Sequence, residues 1–162
     1  MDHSDKVGAL VLMSTYTRRP ERSSFAIDTM IRTVDEGATF DSLMELMQSW
    51  CLPEDYFKKL ALAKPAQRRC NGNGKRAAEG FKAQKLALDL FDSHDHLDKI
   101  TAPTLIIHGT RDAVVPIAGS RQYAAAHANV RLVEVDDDHP LQGSLPRIER
   151  EVLAFFGIAD AG

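Results

Sequence analysis

Two residues of this sequence, Asp112 and His139, have side chains suited to acid–base chemistry and fall where such chemistry is usually placed. A carboxylate beside an imidazole orients the ring and favours its charged form, which suits the ring to taking a proton from a reacting group. Asp112 lies in TLIIHGTRDAVVP (104–116): a short apolar run, a glycine turn, then the acid. The run has no helical period and is bounded by Pro103 and Gly109, as expected of a strand buried on both faces of a parallel sheet. Parallel α/β sheets place their chemistry beyond the carboxyl ends of strands, which is where Asp112 falls. His139 follows in DDDHPL, directly after VRLVEV (130–135), whose alternation suits an edge strand. Taken singly, each residue also has a plainer reading, Asp112 as a turn cap and His139 as a loop residue beside three acids.

The elements that must position this pair can be read from periodicity. VGALVLM (7–13) is a third run of strand length, and the long stretch after it is helical in pattern. Phe25, Ile27, Met30, Ile31 and Val34 recur at helical spacing, as do Phe40, Leu43, Met44, Leu46 and Met47. Pro53, Glu54 and Asp55 open a third helix, and a fourth spans about 77–91. A helix over 118–128 crosses to the last strand. A terminal helix over 145–156 carries the stripe Ile148, Val152, Leu153, Phe155 and Phe156. Leu141, Val152 and Phe155 are expected in the core, and Asp136 and Asp137 outside it.

On these residues the chain, over 7–158, resembles the C-terminal part of an α/β-hydrolase of the capped esterase and lactonase-like kind. VGALVLMS (7–14) looks like the strand after the nucleophile helix, LDKITAPTLIIHGTRDAVVP (97–116) like the acid strand, and VRLVEVDDDHPL (130–141) like the last strand with its histidine. The resemblance implies an α/β protein with a partial α/β-hydrolase fold, a three-stranded parallel sheet core with a helical cap inserted over about 18–96, within a single truncated domain spanning 1–162. It makes Asp112 the triad acid and His139 the base, in the chain order nucleophile, acid, base. It implies a small apolar ester-like substrate or ligand and no cofactor.

The departure from the family lies in the nucleophile. No G-x-S-x-G occurs in the 162 residues. Ser14 stands past the end of the first run, with Leu12 and Tyr16 where the glycines of a nucleophile elbow belong. Ser120 falls within the crossover helix. The oxyanion hole normally draws one donor from the residue after the nucleophile and another from earlier in the chain. The expectation is therefore a chain related to carboxylic-ester or lactone hydrolases, a truncated product or a fragment, that is inactive alone; an in-frame continuation upstream of Met1 coding for a G-x-S-x-G would discriminate it from the alternatives. The alternatives are a half-enzyme completed by another chain and a non-catalytic binding or scaffold protein.

Other features read as structural. His108 and Arg111 are expected to pack or pair locally, and Asp136, Asp137 and Asp138 to face solvent or pair with Arg131 or Arg147. The pattern G-x-G-x-x-A at Gly72 to Ala77 follows no strand, as a dinucleotide fingerprint would require. His94 and His96, with Asp92, Asp95 and Asp98, read as a solvated linker, since a loop does not enforce convergence on one metal ion. With 20 basic against 23 acidic residues, the net charge of −3 argues against nucleic acid or an anionic membrane as partner. No apolar run approaches the length of a membrane span. Cys51 and Cys70 lack metal-ligand spacing and no leader precedes them, so a cytoplasmic protein with reduced thiols is expected. The run 7–13 has no lysine or proline to blunt its outer edge, and self-association through it, as a homodimer, is expected.

Overall fold

The computed structural model describes residues 3–61 and 74–158. Its three strands, β1 (Leu10–Met13), β2 (Thr104–Gly109) and β3 (Val130–Val135), form one parallel sheet in the order β1-β2-β3. β2 is the central strand: Thr104 is aligned with Leu10 on one side and with Val130 on the other. Every residue of β2 is buried, which is why its sequence is apolar without alternation.

Successive side chains of β2 point to opposite faces. Leu105 and Ile107 pack with Val133, Val135, Leu141 and Ile148, and Val11, Val152 and Phe155 close over them. Ile106 packs with Leu97 and Tyr123 on the other face. The first face is covered by α6 (Leu145–Phe155), which contributes Ile148, and the second by α5 (Ala118–Ala126), which contributes Tyr123. A bidentate pair between Arg121 and Glu134, at 2.8 and 2.5 Å, links α5 to β3.

Two sequence expectations need correction here. The first strand begins at Leu10, not at Val7, and Val7 is 43% exposed. Pairing starts where Leu10 N donates to Pro103 O at 2.9 Å, and residues 7–9 precede the ladder. Asp137, expected outside the core, is only 4% exposed. By contrast Leu141 is buried at 3%, and Val152 and Phe155 are partly buried against the core.

The chain divides into two compact units, one of Arg19–Phe91 and one of Met1–Arg18 with Asp92–Gly162. The first holds α1 (Glu21–Asp35), α2 (Phe40–Cys51), α3 (Glu54–Ala61) and α4 (Gly74–Asp89). Thr39 caps α2, its hydroxyl accepting the Ser42 N–H at 3.1 Å, with Asp41 in the first turn favourably placed for the helix dipole. Met30 and Leu43 are its buried hydrophobic residues among those described. Lys85 bridges Asp28 and Asp89, and Arg19 also pairs with Asp89. Cys70 and the start of the Gly72 to Ala77 pattern lie outside the described residues.

In the second unit, the segments that lead out to the helices and back are fastened to each other. Arg18 and Asp92 form an antiparallel bridge and an ion pair at 2.7 Å, while Ser93 donates to the Thr17 carbonyl from both its N–H, at 2.9 Å, and its hydroxyl, at 3.1 Å. Among the described residues no helix is long and apolar enough to cross a membrane.

Candidate active site

The site is built where the loops after β2 and β3 cross. A Cβ at Gly109 would lie 2.5 Å from the Asp137 carbonyl oxygen and 2.9 Å from that of Asp138, so only glycine lets the two main chains approach this closely. Thr110 N then donates to Val135 O at 2.8 Å, and Arg111 N to Asp137 O at 3.0 Å. This crossing carries Asp112 and His139 to the same place.

Asp112 uses its two carboxylate oxygens differently. Oδ1 accepts the N–H groups of Val114, at 2.9 Å, and Val115, at 2.7 Å, so the residue does cap its own turn. Oδ2 lies 2.8 Å from Nδ1 of His139. The turn cap and the histidine partner are therefore both present, one on each oxygen. The Asp112 side chain is completely buried and that of His139 is 31% exposed. Burial by itself would raise the Asp112 pKa, but hydrogen bonds from His108, His139 and the Val115 amide outweigh it and hold the carboxyl well below the usual range. An ionised carboxylate can only accept, so Nδ1 of His139 is the donor in this bond, which leaves Nε2 as the ring nitrogen that faces away from Asp112.

His108 supports Asp112 from behind. It is fully buried, with Nε2 2.7 Å from the Val115 carbonyl and 3.4 Å from Asp112 Oδ2. Both neighbours are acceptors, so Nε2 must be protonated. Nδ1 meets the buried hydroxyl of Ser120 at 2.7 Å. The local packing expected of His108 is what the structure has. The part of Ser120 is signalled in the sequence only by its spacing of three from Tyr123, also buried on α5, which marks a shared inner face.

The three acids before His139 separate. Asp136 and Asp138 both pair with Arg111, the second at 3.5 Å, while Arg131 pairs instead with Glu151 at 2.8 Å. Asp137 turns inward: Oδ1 accepts the Asp138 N–H at 2.9 Å, and the buried Oδ2 has no hydrogen-bond partner among the described residues. Beyond His139, Leu141 takes a left-handed conformation, with φ of 57°, and inserts into the core. Ser14 lies near this loop, but its hydroxyl donates to the main-chain carbonyl of His139, at 2.7 Å. Of the His94 and Asp92 group, Asp92 and Asp95 are engaged with Arg18, and Nδ1 of His94 lies 3.3 Å from the Thr17 hydroxyl.

No protein-family model matches the sequence, and no curated protein sequence matches it. Solved structures do. The chain is similar to a hydrolase from Pseudomonas aeruginosa, with a TM-score of 0.77 and 22% identity over 96% of this chain and 57% of that one. It is similar to the enol-lactonase from Burkholderia xenovorans, with a TM-score of 0.76 and 24% identity over 96% of this chain and 58% of that one. A thermophilic esterase from Thermogutta terrifontis gives a TM-score of 0.72 and 21% identity, over 95% and 57%. The chain thus spans less than two thirds of the length of each. At these identities the likeness is one of fold, and the parallel three-stranded sheet with its helices is a partial α/β-hydrolase fold.

Proposed function

We propose that Asp112 and His139 are the acid and base of a serine-type hydrolase acting on small, apolar carboxylic esters or lactones, and that this chain alone lacks the nucleophile. The observation that carries the reading is the bond between His139 Nδ1 and Asp112 Oδ2, with the other carboxylate oxygen fixed by two amides. A serine hydroxyl brought to Nε2 would lose its proton to the ring as its oxygen attacks the ester carbonyl, and the buried carboxylate would stabilise the imidazolium that forms. Neither G-x-S-x-G nor another glycine-flanked serine at a strand end is present to supply that hydroxyl, and Ser14 directs its own at a main-chain carbonyl. The Asp112–His139 pair then has nothing to activate, and the reaction needs residues from outside this sequence.

The reading includes self-association through the outer edge of β1, as a homodimer, and work in the cytoplasm. The second rests on the two cysteines and not on the fold. It favours hydrolase ancestry over a purely binding or scaffold role because a scaffold has no need of a buried, doubly braced carboxylate against a half-exposed imidazole. Hydrolysis of short-acyl nitrophenyl esters by the purified chain tests it. The expected rate is that of buffer; a rate above it that disappears in Asp112→Asn or His139→Ala would overturn the claim that the nucleophile is missing.

A further inference from the structure

We propose that Ser14 is a positioning residue for His139, holding the main chain of the base so that its ring meets Asp112; this rests on reading Asp112 and His139 as an acid–base pair. Ser14 has φ of 44°, one of two non-glycine residues with positive φ among those described. L-residues are disfavoured there by contact between Cβ and the backbone, and keep that conformation only where their surroundings impose it. Two bonds impose it on Ser14. Its N–H donates to the Ile107 carbonyl at 3.1 Å, carrying the β1–β2 ladder one step past Met13, and its part-buried hydroxyl donates to the His139 carbonyl at 2.7 Å. Glycine would adopt this backbone without strain, so what the serine adds is the hydroxyl.

The other restraints on the loop act on either side of the base. Asp137 is held by the Arg111 N–H, and Leu141 by the core and by its N–H on the Asp138 carbonyl at 3.1 Å. Among the described residues, the Ser14 hydroxyl is the group that holds the peptide of His139 itself. Anchoring that carbonyl restrains the peptide that leaves the His139 Cα, one of the two peptides between which its side chain departs. A hydrogen bond of 2.8 Å to a fixed carboxylate tolerates little rotation of that peptide. The end of β1 is thereby tied to the ring geometry.

Nitrogen-15 NMR of the whole chain labelled at histidine tests this. The unaltered protein should show His139 as the Nδ1–H tautomer with a slowly exchanging ring proton. Ser14→Ala and Ser14→Gly should both lose that slow signal and shift toward the Nε2–H tautomer, while the His108 signals stay in place. The glycine variant relieves the backbone strain and serves if the alanine variant does not fold. Retention of the slow Nδ1–H signal in Ser14→Gly would overturn the proposal, as would loss of the His108 signals along with it. Asp112→Asn separates the two claims: if it leaves the His139 tautomer unchanged, the acid–base pair itself is wrong, whereas loss there with no effect at Ser14 removes only the positioning role.

Discussion

Asp112 divides its carboxylate between two partners: one oxygen closes its own turn and the other holds Nδ1 of His139, the bond on which the proposed acid–base roles rest. Its folded pKa is depressed, so it contributes stability that is fully present above the ordinary aspartate value of about 3.9 and is lost as pH falls through the lower folded value. The contribution is on the order of 2 kcal/mol. Asp112→Asn is therefore expected to lower urea stability at pH 7 and to flatten the loss of stability below about pH 4; identical acid limbs for the two proteins would show that the carboxylate is not held in its charged form. That these two would meet was legible because each lies just past a strand-length run, and their proposed roles came from the resemblance. The inward turn of Asp137 was not. Three successive aspartates look alike to any periodic reading, and only the folded loop, whose main chain crosses Gly109 at Asp137 and Asp138, distinguishes them. Ser14 stands where a nucleophile could, and nothing in VLMSTYT records that its hydroxyl bonds to a carbonyl 125 residues away.

The strands and helices announce themselves through their periods, and the structure has them close to where the sequence puts them. β2 reads as buried because it lacks alternation, and β3 as an edge because it alternates. The start of β1 is not legible because an apolar run does not record where its partner begins, and pairing starts at Pro103 O. In α6 the apolar stripe was legible but not the depth of each residue: Ile148 is 7% exposed, while Phe155 is only partly buried. Ile148→Ala is accordingly expected to cost ~2–5 kcal/mol, and Phe155→Ala less than a fully buried phenylalanine would. A thermal midpoint unchanged in Ile148→Ala would mean that α6 meets the sheet through a different face.

The unit that holds the sheet has one edge lined by β3 and the other by β1, and Met13 at the end of β1 is 52% exposed. An apolar edge strand with unpaired backbone groups favours pairing with another strand. Light scattering at low micromolar concentration is expected to give a mass above the 17.9 kDa of one chain, and a compact monomer would remove the proposed homodimer. The central claim, however, is that the acid and base are present and the nucleophile is not, and it is tested most directly by treating the purified chain with a fluorophosphonate and mapping any adduct by mass spectrometry. No serine should be modified. An adduct on any serine, Ser14 above all, that is lost in Asp112→Asn or His139→Ala would contradict it and would identify the nucleophile.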